Sequence, residues 1–169
     1  MALGRTYTVD SGPVAIATAT TVQPIMSAST TTTNVADIEA IRVGIYSAAG
    51  STPSYSANGT LLVQLARCAN PGTAASTQTP RPHTQADLLA NTGWSTGTWQ
   101  TAPTVGNILW GQSIPLTAGA NWAEWVTPGA EWRVGPSSSA AAAAYIALFV
   151  QASVTGSNVQ LVAEIVFSE

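Results

Sequence analysis

The chain has 169 residues, of which 46% are hydrophobic and only 8% are charged, and its net charge at pH 7 is −3. Globular proteins usually carry about 25% charged residues. Because the five basic residues are all Arg and are scattered singly, the sequence excludes the basic stripe by which proteins bind nucleic-acid backbones. No apolar run reaches the roughly 18 residues that a membrane-spanning helix needs, so we expect no membrane partner either.

The predicted surface is poor in ions. Thr, Ser, Ala, Gly, Asn and Gln must cover most of it, and such a surface loses its water at little cost because no ion has to be desolvated. The cores of protein interfaces are depleted of Lys, Glu and Asp. The composition therefore favours a protein that packs against other chains, and a compositional bias toward Ala and Thr is the alternative explanation.

The N-terminus and the single cysteine bear on where the chain is made. The residues after Leu3 become polar at once, which predicts no secretory signal peptide. Cys68 cannot form an intramolecular disulfide, and the only His, His83, lies in a Pro-rich loop. We therefore expect Cys68 to be a buried structural thiol and the chain to be made in the cytoplasm.

Short β-type runs, each closed by turn residues, recur along the chain. In chain order, these β-type runs are Arg5–Asp10, Pro13–Thr21, Val22–Ser29, Asp37–Tyr46, Thr60–Cys68, Asn107–Leu116, Trp122–Thr127, Glu131–Gly135, Ala142–Thr155 and Asn158–Ser168. Pro24 predicts an edge or a bulge, because proline cannot donate to a ladder. Ile41, Val43 and Ile45 form a period-two apolar face opposite Ile38, which is typical of a half-buried strand.

The segment from Ala69 to Pro103 is predicted to be irregular, since it is rich in Pro and Gly. Within it, Thr84–Asp87 has the spacing of a helix-starting cap and predicts the one short helix of the chain. A long irregular segment in a compact domain is usually functional or folded on a neighbour. We therefore expect this segment, together with the N-terminal arm, to reach a partner chain.

These elements predict an all-β protein. About eight strands linked by Gly and Pro turns are typical of an antiparallel β-sandwich of the jelly-roll type. We expect residues 1–169 to form a single domain with at most one short helix.

Six tryptophans are the most unusual feature of the composition: Trp94, Trp99, Trp110, Trp122, Trp125 and Trp132. Thr127–Ala130 has Pro and Gly at the central positions of a turn, which predicts a hairpin with Trp125 and Trp132 on facing strands. Together with Arg133, the tryptophans are the candidate residues for core or subunit-interface packing, since each buried indole removes about 150–250 Å² of surface from water. A carbohydrate platform is the alternative for this cluster.

No pattern of catalytic, metal-binding or cofactor-binding residues emerges from the sequence. Glu124 and Glu131 are candidates for the acid pair of a glycoside hydrolase only because acids are few, and pairing of either with Arg133 is the favoured interpretation. Metal sites need several His, Cys, Asp or Glu residues in concert, and the sequence groups none. We therefore expect a protein that is not an enzyme and that binds no cofactor.

Several strand and turn motifs together resemble a known group of proteins. They are Gly4–Val9, Ile38–Gly44, Leu62–Arg67, Gln78–Pro82, Pro128–Gly129 and Glu164–Glu169. In this order they resemble the small jelly-roll virion structural proteins of tailed bacteriophages.

The resemblance implies a capsid decoration (cement) protein. Such a protein is made in the host cytoplasm, forms a homotrimer, and binds the major capsid protein on the outer surface of the virion. Trimers sit naturally on the local three-fold positions of an icosahedral shell. A tail- or fibre-associated module that binds a receptor or glycan through the Trp-rich hairpin is the alternative function.

Overall fold

The computed structural model describes residues 4–16, 22–29, 35–47, 54–55, 58–84, 89–116, 121–126, 132–135, 145–154 and 156–169. Every regular element within these ranges is a β-strand. In the same ranges, no helix is long and apolar enough to cross a membrane.

The strands follow one another along the whole described chain. They are β1 (Thr6–Asp10), β2 (Val14–Ala15), β3 (Gln23–Ser29), β4 (Ala36–Ser47), β5 (Ser54–Tyr55), β6 (Gly59–Cys68), β7 (Thr73–Gln78), β8 (Arg81–Pro82), β9 (Gly93–Thr101), β10 (Val105–Leu116), β11 (Asn121–Val126), β12 (Trp132–Val134), β13 (Tyr145–Ala152), β14 (Gly156–Ser157) and β15 (Val159–Ser168).

Two antiparallel sheets account for most of these strands. The seven-stranded sheet has the order β11-β4-β15-β1-β8, with β12 also paired to β4 and β2 to β15. The six-stranded sheet has the order β10-β6-β13-β3-β9-β7. The main hydrophobic core draws buried side chains from both sheets. The prediction of an all-β antiparallel sandwich is therefore confirmed.

The long strands pair in a nested order, so that strands early in the sequence pair with strands late in the sequence. The innermost pair is β6 with β10, followed outward by β4 with β11, β3 with β13, and β1 with β15. These four pairs alternate between the two sheets. Two further ladders, β15 with β4 and β13 with β6, join the pairs within each sheet.

A bulge in β4 brings Ile38 into the same core as Ile41, Val43 and Ile45, although it precedes them out of alternation. Val166 pairs with Ala40 and Phe167 pairs with Ile38, so one residue of β4, Glu39, has no opposite partner in β15. Because the extra residue reverses the alternation, Ile38 and Ile41 lie in the same core. The prediction of a strand here is confirmed, but Ile38 does not lie opposite the apolar face.

The predicted hairpin between β11 and β12 is wrong. Val126 of β11 pairs with Ala40, and Trp132 of β12 pairs with Ile38 of the same strand β4. Both strands run antiparallel to β4, so they follow one another along a single sheet edge. A Pro-Gly turn motif expresses only a local preference. The hydrogen-bonding edge of β4, a strand of 12 residues, is long enough to pair with both strands in tandem. Residues 127–131 lie outside the described ranges.

The segment from Ala69 to Pro103 is not irregular, which corrects its prediction. It contains β7, β8 and β9, and β9 pairs with both β3 and β7. The strands escaped prediction because Ser, Thr and Gly occupy most of their positions, and only Trp94 and Thr96 of β9 are buried. The predicted short helix falls largely on residues 85–88, outside the described ranges.

Strand β1, near the N-terminus, also lies within the fold. Strand β1 pairs with β15 on one side and with β8 on the other, so its residues do not form a free arm. Pro24 lies next to a register shift between β3 and β13, which confirms the bulge predicted for this proline.

Candidate interaction surface and tryptophan cluster

The sandwich separates the six tryptophans into different environments. Trp94 of β9 is 1% exposed and packs against Phe167 with ring centroids 5.4 Å apart. Trp99 is half-buried, and its Nε1 donates a hydrogen bond to the carbonyl oxygen of Pro24 at 2.9 Å. Both indoles are therefore packed within the sandwich. Trp122 pairs in register with Gly44, and its side chain lies outside the described part of the molecule.

Trp110, Trp125 and Trp132 form a cluster where the edges of the two sheets meet; we call it the tryptophan cluster. Strand β10 is the last strand of the six-stranded sheet, and β11 and β12 are the last strands beside β4. The rings of Trp125 and Trp132 stack with centroids 3.5 Å apart, and Trp110 lies 6.2 and 6.4 Å from them. The tandem arrangement of β11 and β12 places the stacked pair side by side on one edge.

The stacking bears on the carbohydrate alternative. A sugar platform needs an indole face that is free to receive the sugar ring. Trp125 and Trp132 cover one face of each other, and Trp132 is only 8% exposed. Their geometry favours packing between the sheet edges.

Arg133 and Glu124 form ion pairs other than those predicted. Arg133 donates two hydrogen bonds to Asp37, from Nε at 2.7 Å and from a terminal nitrogen at 3.1 Å. Glu124 pairs with Arg42, which also bonds Glu164, both at 2.6 Å. Register explains both choices, because Arg133 lies opposite Asp37 and Arg42 lies between the two glutamates. Glu131 lies outside the described ranges.

These contacts stabilise the charged form of both guanidinium groups. The hydrogen bonds that Arg42 donates to Glu124 and to Glu164 raise the pKa of Arg42, and those that Arg133 donates to Asp37 raise the pKa of Arg133. Arg42, Gly44, Val162 and Glu164 also line a shallow depression on the outer surface. The lining of this depression contains one carboxyl group, that of Glu164, which is ion-paired with Arg42, whereas a glycosidase needs two carboxyl groups across a cleft.

Charged residues are divided very unequally between the two sheets. The strands of the six-stranded sheet contain a single charged residue, Arg67, so we call it the neutral sheet. The strands of the seven-stranded sheet, here the charged sheet, contain Asp10, Asp37, Glu39, Arg42, Arg81, Glu124, Arg133 and Glu164. Arg67 itself reaches across to the carbonyl oxygen of Arg133 on the charged sheet.

Most of the charged side chains on the charged sheet are held in ion pairs. Arg42 bonds Glu124 and Glu164, Arg133 bonds Asp37, and Arg81 bonds Asp10 at 2.6 Å. The arginine side chains of these pairs are at least half exposed, which is the ordinary state of a solvated face. Among the described strands, those of the neutral sheet thus present an outer face that can lose its water without desolvating ions.

A second, smaller apolar cluster lies on that outer face. Ala66 and Cys68 of β6 contact Ala147 and Phe149 of β13, and all four are buried. Their neighbours Leu65 and Leu148 point into the main core instead, as alternation along the strands requires. Burial raises the pKa of the Cys68 thiol to about 11, so the thiol stays protonated near neutral pH.

Two exposed apolar side chains, Val105 and Ile108, lie beside this cluster. Together with the half-buried Tyr145 they form what we call the apolar patch. Val105 and Tyr145 both pair in register with Cys68, and Ile108 pairs with Ala66. Val105 and Ile108 are 41% and 54% exposed, and Tyr145 packs partly over the buried cluster. Gly106 lets β10 come close here, since a Cβ at this position would lie 2.5 Å from the Arg67 carbonyl oxygen.

Among the described residues, no group of three or more His, Cys, Asp or Glu side chains is placed to hold a metal ion. Compared with known protein families, curated proteins and solved structures, the chain gives no significant match. The candidate functional features are therefore the neutral sheet, its apolar patch and the tryptophan cluster. Sequence reasoning found the tryptophans but missed the patch, because Val105 and Ile108 are unremarkable until the register is known.

Proposed function

We propose that this chain is a structural protein of a bacteriophage virion: a capsid decoration protein that binds the major capsid protein lattice as a homotrimer. The observation that carries the proposal is the division of charge between the sheets. A protein that covers a lattice needs one face that dehydrates cheaply and another that remains in water. The neutral and charged sheets supply these two faces.

We further propose that the sandwich is of the jelly-roll type. Counting only β1, β3, β4, β6, β10, β11, β13 and β15, the first strand pairs with the eighth, the second with the seventh, the third with the sixth, and the fourth with the fifth. In a jelly roll, four nested strand pairs of this kind fold together into two sheets. This order supports the likeness to virion proteins that the sequence motifs suggest.

The tryptophan cluster contributes stability to this function. It joins the edge strands β10 and β11, which belong to different sheets, where an open sandwich would admit water. Stacked and tilted aromatic pairs stabilise such contacts beyond their buried area. A decoration protein that endures on a particle surface benefits from closed sheet edges.

Co-sedimentation with capsids that were assembled without the chain tests the proposal. Gln64 of β6 and Gln160 of β15 are a matched pair, since both are half-buried and flanked by core residues, but they lie on different sheets. We expect the wild type and Gln160→Lys to pellet with the capsids. Gln64→Lys should weaken attachment on the order of 10-fold or more, because its ammonium must be desolvated in the contact.

Two results would contradict the proposal. A wild-type chain that stays in the supernatant at every capsid concentration does not decorate that lattice. Equal attachment of the two Lys variants would mean that the neutral sheet is not the contact face. Circular dichroism of both variants serves as the control for folding.

A further inference from the structure

The apolar patch is unusual for a surface in contact with water. Within the described ranges, four large apolar side chains are exposed, and Val105 and Ile108 are two of them. Both belong to β10, the edge strand of the neutral sheet, and β10 carries no charged residue over its whole length. Natural edge strands are protected against contact with other chains by charges, by prolines or by bulges. This edge has bulges near Ile108 and a proline at position 115, but no charge.

The chemistry of the patch restricts what can cover it. A partner that placed an unpaired ion on Ile108 would bury that ion at considerable cost. The charged sheet of another copy does not fit, because its outer face carries several charged side chains. The neutral sheet of another copy does fit, since it offers the same uncharged surface of the same extent.

From this match of one uncharged face with another, we propose that the apolar patch is the surface through which copies of this chain associate, with Val105, Ile108 and Tyr145 of each copy gathered around a rotation axis. Residues close to such an axis contact their own counterparts in the neighbouring copies. The inference rests on the proposed homotrimer, for which it identifies the interface. Residues farther along the neutral sheet, such as Gln64, are then left for the capsid lattice.

The native mass of two charge variants tests the proposal. Ile108→Glu introduces a carboxylate into the patch, whereas Leu89→Glu introduces the same charge at the most exposed of these apolar side chains, which lies in the loop before β9 and is 71% exposed. We expect the wild type and Leu89→Glu to have about three times the monomer mass of 17.3 kDa. Ile108→Glu should shift the dissociation midpoint on the order of 100-fold toward higher concentration, since carboxylates would meet at the axis.

The outcomes separate this inference from the proposed function. If Ile108→Glu remains as fully trimeric as Leu89→Glu, the patch is not the interface, but the proposed homotrimer stands. A wild-type dimer that Ile108→Glu dissociates would support the patch and overturn the trimer. A monomeric wild type would overturn both proposals. Dissociation of the assembly by Val105→Lys would support the patch independently of Ile108.

Discussion

Cys68 lies on the outer face of the neutral sheet, yet its thiol is shielded from water. It is 1% exposed and packs with Ala66, Ala147 and Phe149. Desolvation raises its pKa from 9.0 to about 11, which opposes formation of the thiolate. A nucleophilic cysteine needs the opposite shift, so the residue serves packing.

The Cys68 pKa predicts how stability changes at alkaline pH. Between pH 9 and 11 the unfolded thiol loses its proton while the folded one keeps it, so the free energy of unfolding falls with rising pH. We expect a slope of up to about 1.4 kcal/mol per pH unit from this group. Urea unfolding at pH 8 to 11 measures it, and Cys68→Ala should remove the slope while leaving the curve below pH 9 parallel to that of the wild type. Identical slopes in the two proteins would contradict the burial of the thiol.

At the scale of elements, the sheets are continued across interruptions by side-chain hydrogen bonds. Between β1 and β2, the backbone N–H of Ser11 donates to the Ala163 carbonyl oxygen, and the Ser11 hydroxyl oxygen accepts from the Ala163 N–H at 2.9 Å. The serine side chain thus replaces a missing ladder bond. The Thr96 hydroxyl of the other sheet lies 3.0 Å from the Ser11 carbonyl oxygen, which connects the two sheets inside the core.

Ser11→Ala is expected to destabilise the protein by about 1–3 kcal/mol, because it leaves the buried Ala163 N–H without an acceptor. Ser153→Ala is the matched control, since the Ser153 hydroxyl oxygen also accepts a backbone N–H, that of Thr60, but in an exposed position. Water can replace that hydroxyl, and we expect a change within about 0.5 kcal/mol. Equilibrium unfolding in urea compares the two variants, and equal losses would argue against a role for Ser11 in the ladder.

The tandem strands β11 and β12 make a second prediction at this scale. Because Trp125 and Trp132 stack at 3.5 Å, their indoles should give an exciton couplet in the far-ultraviolet circular dichroism spectrum. Trp125→Phe or Trp132→Phe should each reduce the couplet, because only the tilted pair with Trp110 at 6.2 or 6.4 Å then remains. A double-mutant cycle with alanine should give a coupling of about 0.5–1.5 kcal/mol. Trp99→Phe should leave the couplet intact, since Trp99 has no ring contact with the other described aromatic residues. A couplet of undiminished amplitude in both stacked-pair variants would contradict the tandem arrangement.

For the whole molecule, the ion pairs mark the face that remains in water and contribute little to stability. The Arg42 and Arg133 side chains are 51% and 58% exposed, and exposed pairs contribute at most about 1 kcal/mol. Arg42→Gln and Arg133→Gln should therefore each lower the thermal midpoint by no more than about 4 °C, less at high salt. Thermal unfolding at low and high salt measures the effect, and a larger, salt-independent loss would mean that these charges hold the fold together.

The sequence alone determined the elements whose information is local. The period-two pattern identified β4, β6, β13 and β15, because a strand with one buried face must alternate, and Pro24 marked a bulge because it lacks an N–H. Composition showed that ions are scarce, and it singled out the tryptophans as candidates for core or subunit-interface packing. These features depend on neighbours within a few positions along the chain.

Only the tertiary structure decided which strands share a sheet. The polar strands β7 and β9 became visible through their ladder partners, and β11 and β12 proved to be successive segments of one edge because β4 pairs with both. The charged residues look evenly scattered along the sequence, yet pairing between distant strands collects them on one sheet and leaves the apolar patch on the other. Such pairing joins residues far apart in the chain, and no local pattern encodes it.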